Sequence, residues 1–116
     1  MFDTLEIFDL ATARARHAAA QQNVAARNIA NADTPGYRAQ ATLPFDYYMR
    51  SAAPGGAMAG TDFSRVVEAD TPMSPNGNSV SLEMEMVASV DAQRTHSRAL
   101  TVYQSALTIL RTSLGR

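Results

Sequence analysis

The chain has 116 residues, ten basic and eleven acidic, for a formal charge of −1, with no cysteine and no tryptophan. Near-neutral charge removes the bulk electrostatic drive toward nucleic acid or an anionic membrane, and the missing cysteines remove disulfides, thiolate metal sites and cysteine nucleophiles together. One domain at most is expected, and because the 46% apolar content is rich in alanine, with only four Phe and four Tyr, a self-sufficient globular core is not.

Residues 3–31 read as a helix. Asp3 is the expected N-cap, with Glu6 three positions on as the acidic partner of a capping box. Asp3, Glu6 and Asp9 precede Arg14, Arg16 and Arg27, the order that complements the helix dipole. Steps of three and four place Leu5, Phe8, Thr12, Ala15, Ala19, Gln22, Ala26 and Ile29 on one face, a seam bulky at its ends and alanine-lined between. Such a seam permits close helix approach, but at about 25 cal/mol per Å² it contributes little against the entropy of ordering. The acidic start differs from the basic stretch of a secretory signal, and no segment reaches membrane-spanning length, so export by a cleaved signal and direct membrane insertion are not expected.

Asp33-Thr34-Pro35-Gly36-Tyr37 stops this helix. Pro35 disfavours helical geometry at Thr34, and Gly36 is free to take positive φ. A type II turn over Thr34 to Tyr37 is predicted, with Pro second and Gly third. Residues 38–78 keep no helical or strand period, and Gly, Pro, Ser and Ala accumulate at 51–60 and 71–78, so loop or disorder is expected there. Leu43, Phe45, Tyr47 and Tyr48, and then Phe63, Val66 and Val67, are candidates for short extended patches, too short to require a strand. A connection of this length is either functional or ordered by a partner.

Residues 79–114 carry the clearest period. Leu82, Met86, Ser89, Gln93, His96, Leu100, Tyr103, Leu107, Leu110 and Leu114 repeat by four and three, a sustained heptad that Met84, Val87, Val90, Val102, Ala106 and Ile109 widen to a second face. At 1.5 Å per residue the helix spans about 54 Å, against about 43 Å for the first. That is more apolar surface than one short partner covers.

No catalytic, cofactor or metal site is expected. His17 and His96 lie on different helices with no His or carboxylate at the spacing one-helix ligation needs, and read as a solvated and an interface residue respectively. Glu83 and Glu85 are two apart and point to different sides of a helix. Gly55-Gly56 and Gly77 lack the lysine and preceding strand of a phosphate loop. Met73, Met84 and Met86 read as gap fillers whose clustering suits a surface accepting several neighbours.

Asn28-Ile29-Ala30-Asn31-Ala32-Asp33-Thr34-Pro35-Gly36-Tyr37 resembles the N-terminal signature of the flagellar rod and hook proteins, in which a helix ends at an Asn-rich turn before the chain leaves the axial core. Gly77-Asn78-Ser79-Val80, followed by a helix carrying Glu83, Glu85 and Met86, is similar to the proximal rod branch of that family, with Ser81 where members usually carry Asp. The resemblance covers about residues 1–40 and 76–116. It implies an all-α unit with an N-terminal helix (1–33), a turn and irregular middle segment (34–78) and a C-terminal helix (79–116), the two long helices pairing as a coiled coil. It further implies a non-enzymatic axial subunit of the basal body, lining the export channel and delivered through the flagellar export apparatus to the periplasmic rod. FliE, FlgC, FlgF and further copies of the chain are the implied neighbours. The turn motif would be Asn28, Asn31, Asp33, Thr34, Pro35, Gly36 and Tyr37. The assembly interface would be Leu5, Phe8, Ile29, Leu82, Met86, Leu100, Tyr103, Leu107, Leu110 and Leu114. An FlgC-type rod protein is the alternative within the family. Outside it, the alternative is a helical adaptor or chaperone-like hairpin holding a partner peptide at the Met-rich start of the second helix.

Overall fold

A computed structural model describes residues 2–52, 58 and 60–115. Chain order is α1 (Phe2–Ala30), β1 (Gln40–Thr42), α2 (Phe45–Ser51), β2 (Val66–Glu68) and α3 (Leu82–Ser113). α1 is already helical at Phe2, ahead of the expected cap; the side chain of Asp3 lies outside the described residues, as do Gly55 and Gly56. The helix closes where the Asn31 N–H meets the carbonyls of Arg27 at 3.2 Å and Asn28 at 3.1 Å, just before Pro35 forbids another turn. α3 starts three residues later than its period suggests. Ser81 is its N-cap, accepting from the Met84 N–H at 3.4 Å, with Glu83 and Glu85 in the first turn and Arg111 in the last.

The two long helices pack together antiparallel. Phe8 stacks edge-on against Tyr103 with ring centroids 4.9 Å apart, and Val24 and Ala25 share a cleft with Met84, Ala88 and Ala92 at the other end. The molecule is correspondingly elongated, 63 × 27 × 16 Å. The line of closest packing is alanine on both helices at seven-residue spacing: Ala11, Ala18 and Ala25 against Ala92, Ala99 and Ala106, all buried. This corrects the seams read from the sequence in part, since Phe8, Ala15, His96 and Tyr103 do lie between the helices. Thr12, Ala19 and Ala26, and Gln93, Leu100 and Leu107, run one residue to the side of the buried lines, because backbones approach most closely where side chains are smallest while larger ones flank the contact.

The middle segment also departs from expectation. Phe45, Tyr47 and Tyr48, candidates for an extended patch, lie in helix α2, which starts after Pro44 with Asp46 in its first turn and Arg50 in its last. Val66 and Val67 do form a strand. β2 pairs antiparallel with β1 in the register Gln40↔Glu68, Ala41↔Val67 and Thr42↔Val66. Runs of three residues are too short for a period to be legible. The segment folds onto α1 as a small lobe: Phe45, Tyr48, Met58 and Phe63 bury together against Ala13, with Ala20, Leu43 and Ala52 at the margin. Its tethers to α1 include the Met58 N–H donating to Asp9 Oδ2 at 3.0 Å and an Arg16 guanidinium N–H donating to the Thr61 carbonyl at 3.1 Å.

Candidate functional site

The signature residues build a corner at the end of α1. The Tyr37 N–H donates to the Thr34 carbonyl at 3.2 Å, and Gly36 has φ 76°, as position three of a type II turn demands. Asn28, with 0% of its surface exposed, spends both ends of its amide. Its Oδ1 accepts from the Tyr37 hydroxyl at 3.0 Å and the Gln40 N–H at 3.1 Å, while Nδ2 donates to the Gln40 carbonyl at 2.8 Å. Asn31 Nδ2 donates back to Arg27, and its Oδ1 accepts from the Thr34 hydroxyl. Asp33 and Pro35 stand exposed; Pro35 contributes through its fixed φ.

The segment before α3 locks this corner from across the sequence. Asn78 Nδ2 donates to the carbonyls of Asn31 at 2.9 Å and Thr34 at 2.8 Å, and its Oδ1 accepts from the Val80 N–H. The Gly36 N–H meets the Asn76 carbonyl and the Ser79 N–H the Tyr37 carbonyl, both at 3.0 Å. The Ser79 hydroxyl accepts from the Ala39 N–H at 2.7 Å. Gly77, at φ 84°, packs so closely that a Cβ there would lie 3.2 Å from the Gly36 Cα. Asn28, Asn78 and Ser79 are all buried. Stranding one of these polar groups costs about 1–3 kcal/mol, more than any single bond among them contributes net, so the latch holds as a unit. Asn78 and Ser79 stood in the sequence only as part of a resemblance; the signal pointing to them is a short polar side chain beside a glycine, poised to bond backbone.

His17 is buried, not solvated. Its ring contacts Phe45, Tyr48 and Phe63 edge-on at 5.4, 5.9 and 5.8 Å, and Nε2 lies 2.7 Å from the Leu43 carbonyl, which assigns the proton to that nitrogen. Burial pushes its pKa below 6.5, opposed by the Leu43 carbonyl and assisted by Arg14. Ala13, His17 and Ala20 mark the α1 face turned toward the lobe, a face hidden from the sequence because residues 38–78 offered no period to place against it. His96 is half-buried beside Ala15, Ala19 and Leu100 between the long helices.

Of the residues expected at an assembly interface, Phe8 and Tyr103 meet each other within the chain, and Ile29, Leu107 and Leu110 are half-buried. Leu5, Leu82, Met86, Leu100 and Leu114 stand exposed, as do Ile7, Leu10, Met84, Val87, Val102 and Ile109. Large apolar side chains exposed in this number along two helices are of the kind that other molecules cover.

Comparison with known proteins falls on the same corner. The family model described as "Flagella basal body rod protein" matches residues 9–38, from the second turn of α1 through the Pro-Gly turn. The flagellar basal body rod protein FlgB of Agrobacterium fabrum strain C58 is 29% identical over an alignment covering 87% of each chain. Signature and comparisons meet on the same residues, over which the chain is similar to the flagella basal body rod proteins.

Proposed function

We propose that this chain is an FlgB-type structural subunit of the proximal rod, with no catalytic role. The observation that carries the reading is the row of large apolar side chains left uncovered on both long helices, from Leu5 to Leu10 and from Leu82 to Leu114, on a chain similar to FlgB along most of its length. On this reading each subunit buries its outer stripes only against neighbours, so subunit stability is inseparable from assembly. Those neighbours are further copies of itself and the rod proteins FliE, FlgC and FlgF. The long helices wind as a coiled coil, line the export channel and transmit torque through shared apolar seams; the chain reaches the periplasm through the flagellar export apparatus.

Leu100→Asp tests this, because Leu100 is 47% exposed in the single chain. The purified variant is expected to keep its helicity by circular dichroism, yet to be absent from isolated basal bodies, since an unpaired charge in a dry seam costs several kcal/mol at every interface. Normal basal bodies built from Leu100→Asp would overturn the assignment.

A further inference from the structure

Asn76-Gly77 is the one Asn-Gly step in the sequence. An asparagine before glycine is chemically weak: with no Cβ to shield it and a backbone free to turn, the glycine nitrogen can attack the asparagine's own amide carbon. The new C–N bond closes a five-membered succinimide, the proton of the glycine nitrogen passes to solvent base, and the side-chain nitrogen leaves as ammonia. Water then opens the ring at either carbonyl, giving aspartate or isoaspartate. Asn76 is exposed, within reach of that water.

The latch holds every atom this reaction must move. Ser74 to Gly77 form a turn closed by the Gly77 N–H on the Ser74 carbonyl at 2.9 Å. Asn76 has negative φ, so the turn is type I, with ψ at its third residue about 0°. Attack requires that ψ to swing far from this value, which rotates the peptide plane between Asn76 and Gly77. Both ends of that plane are bonded, its nitrogen to the Ser74 carbonyl and its oxygen to the Gly36 N–H at 3.0 Å. The side chain is bonded too: Asn76 Oδ1 accepts from the Asn78 N–H at 3.1 Å, and Asn78 is itself buried and tied to Asn31 and Thr34.

We propose that Asn76 is a site of deamidation that the closed latch protects, and that its isoaspartate product, once formed, keeps the latch from closing. Isoaspartate routes the main chain through the former side chain, adding one carbon between the Cα of residue 76 and the Gly77 nitrogen. That lengthening displaces Gly77 from its close seat against Gly36 and moves the acceptor away from the Gly36 N–H. Aspartate keeps the main-chain length and an oxygen for the Asn78 N–H, so it leaves the latch intact. An unfolded chain thus ages at a position where a folded chain does not, and the isoaspartate lesion blocks the corner from forming.

The purified chain is incubated in mildly alkaline buffer with and without guanidinium chloride. Mass spectrometry of the peptide bearing residue 76 reads the conversion of amide to acid, and labelling by isoaspartyl methyltransferase identifies the isomer. Deamidation roughly tenfold or more slower without denaturant is expected, since the folded chain reacts only through its open population. Asn78→Ala, checked for retained helicity by circular dichroism, should raise the rate in buffer about fivefold or more through its lost bonds and leave the rate in denaturant unchanged. Chain aged in denaturant and returned to buffer needs no substitution: isoaspartate-bearing molecules should lose hydrogen-exchange protection at the Gly36 and Ser79 N–H groups, while unmodified and aspartate-bearing molecules regain it. Equal rates with and without denaturant, an unreactive Asn76 in denaturant, an unchanged rate in helical Asn78→Ala, or full protection of Gly36 in isoaspartate-bearing molecules would each overturn the proposal.

Discussion

α1 is covered on two faces by opposite kinds of packing. Toward α3 it presents Ala11, Ala18 and Ala25 to Ala92, Ala99 and Ala106; toward the middle lobe it presents Ala13 and His17 to Phe45, Tyr48, Met58 and Phe63. The first contact buries little area and gains its strength from proximity; the second buries large rings. Most of the large aliphatic side chains on the long helices, among them Leu5, Ile7, Leu10, Leu82, Val87, Leu100, Val102 and Ile109, belong to neither and stand exposed. Bulk in this chain is divided between a small lobe that is buried within the fold and outer stripes that are left exposed, so a substitution in one can be made without disturbing the other.

Phe63→Ala should act most strongly. It removes the ring that touches His17, Phe45 and Tyr48, at about 3–5 kcal/mol. Denaturant unfolding would measure the loss; if the two packings are as distinct as described, helicity of the long pair should survive conditions that release the lobe. Ala18→Leu tests the other face. Ala18 is 0% exposed, and a larger side chain there must push the helices apart at about 1–3 kcal/mol, whereas Ile109→Ala, at a residue 64% exposed, should move the isolated chain's stability by less than about 0.5 kcal/mol. Equal effects would erase the distinction between seam and stripe. Gly36→Val should cost about 1–3 kcal/mol through its backbone alone, because φ is 76° and no neighbour crowds the position; Gly60→Val, with open space and no left-handed φ, is the control. Thermal unfolding of the pair separates conformational strain from crowding.

The smallest effect is a pH dependence confined to the lobe. His17 has a folded pKa below its unfolded 6.5, so between the two values the unfolded chain binds more protons than the folded one, and stability rises with pH across that window. The His17 contribution is fully present above 6.5 and is lost as pH falls through the lower, folded value. Urea midpoints measured from pH 7 downward should decline, and the part of the decline due to this ring should vanish in His17→Phe.

The long helices were legible because heptad repeats many turns long leave an unmistakable period, and the Pro35-Gly36 turn because those two residues restrict the backbone by themselves. Side-chain bulk misled at the seams: Leu100 and Leu107 drew the stripe, while Ala99 and Ala106 mark the line of contact. The lobe was illegible for another reason. A seven-residue helix and two three-residue strands are held by tertiary contacts such as Asp9 to Met58 and Arg16 to Thr61, and local pattern does not encode such partners. The latch lay between these cases: its two halves were both visible as motifs, but their meeting through Asn78 was not.

That meeting has a kinetic side. The bond from Asn78 to Asn31 joins residues 47 apart in sequence, so closing the latch costs the entropy of bringing together the ends of a long loop, whereas α1 and α3 form from contacts a few residues apart. Local structure of that kind forms on the microsecond scale, while pairings between distant residues set the slow step of a fold. The corner is therefore a late event in the life of the chain, and a molecule still folding presents two helical arms before it has fixed the angle between what lies on either side of Gly36.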